Sequence, residues 1–90
     1  MNYEDNPSSI KFYVKRFLLQ HQDKINGKNI VDFPAGNGIT SRIIHELGGR
    51  PHPFDLFPEY FNVKGFVCLR ASVTKGLPVN KNFADMLICQ

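Results

Sequence analysis

Apolar residues recur at helical spacing near the start of the chain. Positions separated by three or four residues fall on one side of a helix and form a continuous stripe there. This spacing predicts a helix over residues 7–21, capped at its start by Asn6 or Ser8. We expect the stripe to pack in the core. Its members are Ile10, Tyr13, Val14, Phe17 and Leu18.

Downstream, short apolar runs alternate with segments of helical periodicity. The apolar runs are bounded by glycine, proline and polar residues, and they predict strands over residues 29–33, 52–55, 66–69 and 85–89. Helical spacing predicts a helix over residues 39–47, ended by Gly48 and Gly49, and a short helix over residues 57–61. A loop over residues 70–82 separates the last two strands. Because strands alternate with helices, the order predicts an α/β fold with right-handed crossovers and a mostly parallel sheet.

The composition narrows the class of protein. The 90-residue chain is 42% hydrophobic and 21% charged, which is typical of one small globular domain. Its net charge of +3 is spread along the chain without a basic block, which argues against a nucleic-acid surface. No apolar run approaches the length of a membrane span, and the acidic start is unlike a secretory signal. We therefore expect a cytoplasmic protein with no membrane partner, and the sequence carries no clear signal for a nucleic-acid partner.

The cysteine and histidine positions predict neither a disulfide nor a metal site. Cys68 and Cys89 lie far apart inside apolar runs, as buried thiols do in a reducing compartment. His21, His45 and His52 lack metal-ligand spacing with each other or with the cysteines. We expect His45 on the surface of its helix.

The glycine-rich turn after the first strand is the most informative feature. Gly36 and Gly38 lie between a predicted strand and a predicted helix, where backbone N–H groups and the positive end of the helix dipole converge. Glycine allows a positive φ there and lets a ligand approach the main chain. Asp55, at the end of the second strand, would lie beside the turn and can accept both hydroxyl hydrogens of a ribose. The combination predicts a ligand that contains a nucleoside.

Two common nucleotide motifs match the turn less well. The dinucleotide fingerprint G-x-G-x-x-G/A would begin at Gly36 and Gly38, but its third small residue is Ser41. The Gly-Lys-Ser/Thr run of a phosphate-binding P-loop is absent. An NAD-type domain of an oxidoreductase stays open on this interpretation, as does a non-catalytic nucleotide-binding module.

Four segments, in order and at the right spacing, resemble class I S-adenosylmethionine-dependent methyltransferases. Residues 31–38 are similar to the family's first motif, with Pro34 where its first glycine is usual, and residues 54–59 resemble its second motif. Residues 76–78 followed by 83–89 are similar to the family's Leu-Pro loop and fourth strand, and the N-terminal helix matches its extra helix. The resemblance implies a Rossmann-like three-layer sandwich with strand order 3-2-1-4. It also implies methyl transfer from S-adenosylmethionine to an acceptor, which we expect to be a small molecule.

The resemblance assigns the first motif to the methionine part of the cofactor. Asp32 and the backbone at Pro34, Gly36 and Gly38 would surround it. Pro34 lacks an N–H and has a fixed φ, so the turn must differ slightly from the family norm. From the residues alone, Asp32 could instead cap the backbone of the loop.

Three further positions complete the implied site. Asp55 would bind the ribose hydroxyls, although it could instead cap the short helix that follows. Ser72 stands where the family usually has an aspartate for the adenine amino group, which leaves that contact open. Gln90 would lie near the methionine amino group. No residue is identified as a base for the acceptor.

The strands that follow the fourth strand in this family do not appear within the 90 residues. We therefore expect residues 1–90 to be the cofactor-binding part of a domain that continues beyond Gln90, inactive in methyl transfer by itself. Residues 85–89 have the continuous apolar pattern of an interior parallel strand, yet one edge would lack a partner. We expect that edge to pair with another copy of the chain or to fray.

Overall fold

A four-stranded sheet forms the centre of the protein in a computed structural model that describes residues 3–72 and 83–89. The strands are β1 (Asn29–Phe33), β2 (Arg50–Asp55), β3 (Leu69–Arg70) and β4 (Met86–Cys89). The helices are α1 (Ile10–Gln20), α2 (Gln22–Ile25) and α3 (Ile39–Glu46), with 3-10 turns at Tyr3–Asp5 and Pro58–Tyr60. The described strands pair in parallel in the order β3-β2-β1-β4. This confirms the predicted α/β class and the strand order of a partial Rossmann-like fold.

The main core lies between the sheet and its helices. Side chains alternate along β1, so Ile30 faces the helices while Val31 packs with Phe54 and Ala71 on the opposite face. Each α-helix of the described residues contributes to the core on the Ile30 side. The buried members of that core are Leu18, Ile25, Ile30, Ile43, Ile44 and Leu47. The apolar residues of α3 therefore face the sheet.

The N-terminal helix differs from its prediction at its start and along its stripe. Helix α1 begins at Ile10, and its cap is Ser9, whose Oγ accepts a hydrogen bond from the Lys11 N–H at 3.2 Å. The predicted cap residues bond to each other instead, because the Asn6 carboxamide oxygen accepts from the Ser8 N–H and hydroxyl.

The predicted apolar stripe of α1 is buried only in part. Leu18 is fully buried, but Tyr13 is 59% exposed and Phe17 47% exposed. The reason is that Tyr13 and Phe17 reach the outer strand, β4, and line a groove of about 460 Å³ there. The apolar stripe of α1 is therefore wider than the surface of the described sheet against which it packs. The groove is lined by Tyr13, Val14, Phe17, Met86, Leu87, Ile88 and Cys89.

The observed boundaries of β2 and β3 also differ from the predicted ones. Strand β2 begins at Arg50, two residues earlier than predicted, and β3 holds only Leu69–Arg70, which pair with the end of β2. Phe66, predicted to start a strand, instead packs its ring against His45 with centroids 5.1 Å apart. His45 is exposed, as predicted. Both cysteines are free thiols, but Cys68 is half-buried and Cys89 exposed, so their predicted burial was wrong. The predicted 76–78 loop lies outside the described residues.

Candidate nucleoside-binding site

The turn between β1 and α3 is tightly constrained by its own backbone. The Phe33–Pro34 peptide bond is cis, and Gly36 and Gly38 have φ values of +56° and +99°. The Ala35 N–H donates to the Phe54 carbonyl at 2.8 Å, and the Gly38 N–H donates to the Ala35 carbonyl at 3.0 Å. Only glycine adopts such positive φ values without strain, which explains the residue type at both positions.

Asp55 joins this turn to the end of β2. Its Oδ2 accepts a hydrogen bond from the Gly36 N–H, and its Oδ1 accepts one from the Phe57 N–H, each at 2.8 Å. The residue is 8% exposed. Because a carboxylate oxygen can accept more than one hydrogen bond, both oxygens keep acceptor capacity beyond these contacts. The structure thus places Asp55 beside the glycine-rich turn. The alternative role as a helix cap is not observed, since Phe57 is the N-cap residue of the 3-10 turn at Pro58–Tyr60 and no side chain caps that turn.

The two glycines of the turn have different surroundings. A Cβ placed on Gly36 would meet nothing within 4 Å, so the backbone there can be approached. A Cβ on Gly38 would lie 2.5 Å from Val63 Cγ2 and 2.9 Å from Phe61 Cε2. The segment that holds Phe61 and Val63 is tied to the turn by the Asn62 N–H, which donates to the Asn37 carbonyl at 3.0 Å. Gly38 therefore makes room for this segment, and Gly36 is the glycine with space for a ligand.

Asp32 lies under the turn rather than at its surface. It is fully buried on the helical side of β1, and the Ser41 hydroxyl donates to its Oδ2 at 2.9 Å. Lys11, on the first turn of α1, donates from Nζ to Thr40 Oγ1 at 3.1 Å in the same region. Burial lowers the pKa of Lys11, and the Asp32 carboxylate opposes this effect. A lysine at a polar position of an amphipathic helix indicates a solvated face, so the sequence alone does not reveal this cluster.

The remaining predicted site residues are Pro34, Ser72 and Gln90. Pro34 is exposed at the turn, and Ser72 is half-buried just after Ala71, whose N–H donates to the Asp55 carbonyl at 3.0 Å. Ser72 therefore lies near the end of β2. Gln90 lies outside the described residues.

The surface beside Asp55 carries an arginine and exposed apolar side chains. Arg70 donates to the Leu56 carbonyl, and its guanidinium lies 3.3 Å from the Glu59 carboxylate. Leu56, Phe57 and Tyr60 are all exposed there. Nearby, Cys68 has its pKa raised to about 11, mainly by burial and further by the Asp55 and Asp32 carboxylates, so its thiol is protonated at neutral pH. These residues offer an apolar surface and the guanidinium of Arg70, which is paired with Glu59, next to Asp55.

A separate polar hollow of about 360 Å³ lies on the other side of the turn. It is lined by Asn37, Ile39, Arg42, Asn62, Val63 and Lys64 and does not include Asp55. Its arginine is already paired with Glu4 and Glu46. Among the described residues, no cluster of three or more His, Cys, Asp or Glu side chains could hold a metal ion.

Comparison with known proteins adds no family to this picture. No protein-family model, no curated protein and no solved structure matches the chain. None of the helices among residues 3–72 and 83–89 is long and apolar enough to cross a membrane.

Proposed function

We propose that this chain binds S-adenosylmethionine and serves as the cofactor-binding part of a methyltransferase. The observation that carries the proposal is the 2.8 Å hydrogen bond from the Gly36 N–H to Asp55 Oδ2. It joins the acidic end of β2 to a glycine-rich turn at the carboxyl end of β1. Open parallel sheets bind ligands at that edge, where the strand order reverses, and the order here reverses between β1 and β4.

The residues present fit such a cofactor. Gly36 has open space at the position where a side chain would start, so the methionine part can approach the main chain. Asp55 keeps acceptor capacity for ribose hydroxyls, and the exposed Leu56 beside it offers an apolar contact for adenine. When bound, S-adenosylmethionine supplies a methyl group on a sulfonium sulfur, which an acceptor nucleophile can displace when held in line with it. We further propose a small-molecule acceptor and, from the two free thiols, a reducing cytoplasmic location.

One observation supports an NAD-type dinucleotide as the second candidate. Ser41 takes the third small position of the dinucleotide fingerprint, and it is fully buried between α3 and β1. Close packing of helix and strand is what that position provides in dinucleotide-binding domains. Ser41 makes this packing with a hydroxyl that donates to Asp32 Oδ2.

A ligand titration distinguishes the candidates. Calorimetry on the 90-residue chain should give micromolar dissociation constants for S-adenosylmethionine and S-adenosylhomocysteine, equivalent to a binding free energy of about −8 kcal/mol, and no heat with NADH. Binding of NADH without either S-adenosyl compound would favour the oxidoreductase domain. Absence of binding by all three would contradict both candidates.

A matched pair of variants tests the role of Asp55. Asp55→Asn should weaken the binding of S-adenosylhomocysteine by about 1.5–3 kcal/mol, because hydrogen bonds to a charged carboxylate are lost. Asp85 is the control, since its carboxylate also accepts a backbone N–H at 2.8 Å but at the opposite end of β1, from Asn29. Asp85→Asn should leave the affinity unchanged. If Asp55→Asn lowers only the melting temperature, Asp55 stabilises the turn and is not a ribose ligand.

A further inference from the structure

Lys11 belongs to a buried polar cluster rather than to the solvent face of α1. Its Nζ lies 3.1 Å from Thr40 Oγ1, and Thr40, Ser41 and Asp32 are all fully buried. Ser41 donates in turn to Asp32 Oδ2 at 2.9 Å. Three elements, α1, β1 and α3, therefore contribute polar groups to one cluster that water does not reach at Asp32, Thr40 or Ser41.

The Asp32 carboxylate and the Lys11 ammonium of this cluster stabilise each other. A carboxylate removed from water is costly unless a cation or several donors compensate it. The Lys11 ammonium supplies a positive charge near Asp32, as the opposing effects of burial and of Asp32 on the pKa of Lys11 show. Loss of that ammonium would remove a positive charge that favours the buried Asp32 carboxylate.

The cluster also flanks the glycine-rich turn on both sides. Asp32 is the last residue but one of β1, just before the turn, and Thr40 and Ser41 lie in the first turn of α3, just after it. The open Gly36 lies between them in the chain. A group that binds the two ends of a tight turn fixes the direction in which its backbone N–H groups point.

We propose that Lys11 is a positioning residue of the cofactor site: it holds Asp32 and the first turn of α3 so that the Gly36 turn is preorganised for its ligand. The inference rests on the proposed function for the identity of the ligand. Lys11 itself need not touch the ligand. Preorganised turns bind more tightly because less ordering is left to the binding step.

The test compares Lys11→Gln with Lys15→Gln, one helical turn along α1. Lys15 makes an exposed ion pair with Asp5 at 3.2 Å and is the matched control. Lys11→Gln should bind S-adenosylhomocysteine about tenfold more weakly, equivalent to about 1.4 kcal/mol. Its Gly36 and Gly38 amides should also exchange hydrogen faster relative to those of the β1 core. Lys11→Arg should restore most of both, and Lys15→Gln should change neither.

Exchange at the glycine amides needs no ligand, so it tests the inference even if S-adenosylhomocysteine does not bind the wild-type chain. Failure of wild-type binding would instead count against the proposed function. If Lys11→Gln does not fold, Thr40→Val carries the test, since it removes the hydroxyl that accepts the 3.1 Å hydrogen bond from Lys11 Nζ and keeps both charges. It should shift exchange and affinity in the same direction by a smaller factor. Wild-type exchange and affinity in the folded Lys11→Gln variant, or in Thr40→Val where Lys11→Gln does not fold, would overturn the inference.

Discussion

At the residue scale, Gly36 and Gly38 share a positive φ but differ in what surrounds them. An alanine at either position carries strain of about 1–2 kcal/mol from the left-handed backbone. At Gly38 the added methyl would also meet Val63 Cγ2 at 2.5 Å, whereas at Gly36 it would meet nothing. We expect Gly38→Ala to lower the free energy of unfolding more than Gly36→Ala does. Denaturant titration of the two variants measures the difference.

The same substitutions should affect ligand affinity in the opposite order. Gly36→Ala places a methyl in the space that the ligand would use, so it should weaken S-adenosylhomocysteine more than Gly38→Ala. Gly27 is the control, since it has a φ of +74°, an open surrounding and no part in the turn. Gly27→Ala should show the backbone strain alone. Equal affinities for the Gly36→Ala and Gly27→Ala variants would show that no ligand approaches Gly36.

His52 provides a prediction for the dependence of stability on pH. Burial, and then the neighbouring Arg50 charge, lower its pKa from the ordinary value of 6.5. The unfolded chain therefore takes up this proton at a higher pH than the folded protein does. The His52 contribution to stability is full above pH 6.5 and is lost as the pH falls through the lowered pKa.

The measurement is the free energy of unfolding between about pH 8 and about pH 5 for wild type and two variants. His52→Gln removes the group and should flatten the decline. Arg50→Gln should flatten it partly, because the repulsion is removed while burial stays. Identical pH profiles for the wild type and His52→Gln would contradict the prediction.

Residue identity predicted some members of the site and concealed others. Gly36, Gly38 and Asp55 could be found because their chemistry and their positions after predicted strands point to one edge of a parallel sheet. Lys11 could not, since a lysine at a polar position of an amphipathic pattern indicates a solvated face. Its burial arises only when α1 packs against α3 and brings Nζ to Thr40. That contact joins residues far apart in the chain, and no local pattern encodes it.

At the scale of the element, the start of α1 tests how capping fixes a boundary. Ser9 Oγ accepts from the Lys11 N–H, so Ser9→Ala should lower the free energy of unfolding by about 1 kcal/mol. Ser8 is the matched control, because its hydroxyl donates to the half-buried Asn6 side chain outside the helix. Ser8→Ala should cost less. Thermal or denaturant unfolding compares the two variants. A larger loss of unfolding free energy for Ser8→Ala would indicate that the helix begins at its predicted position.

Element type was more predictable than element length. Strand β1 matches its prediction at both ends, since it is an apolar run closed by Pro34 and the glycines. Strand β3 does not, because its two residues are defined by pairing with Phe54 and Asp55 rather than by their own apolar character. Helix α2 was missed for a similar reason: it is four residues long, and its Ile25 is buried by the core around it. Short elements depend on their neighbours for stability, so their own sequence says little about them.

At the scale of the whole molecule, β4 is the strand most exposed to association. Within the described residues it pairs with β1 alone, and its Leu87 is 55% exposed. The exposed groove side chains Tyr13 and Phe17 continue this apolar surface along α1. A strand edge with unpaired N–H and C=O groups beside apolar side chains is a template for pairing with another chain. We therefore expect the 90-residue chain to self-associate as its concentration rises.

Two lysine substitutions distinguish the role of the β4 edge from that of the β3 edge on the other side of the sheet. Leu87→Lys places a charge on β4, and charged side chains at sheet edges discourage pairing, so light scattering across a dilution series should show less association. Leu69→Lys makes the same change on β3, at the other edge, where Leu69 is similarly exposed. It should have little effect, because β3 offers only two residues to a partner strand. A wild-type chain that stays monomeric at every concentration, with β4 amides protected from exchange, would show that this edge needs no partner. Equal effects of the two lysines would point to general charge repulsion rather than to pairing at β4.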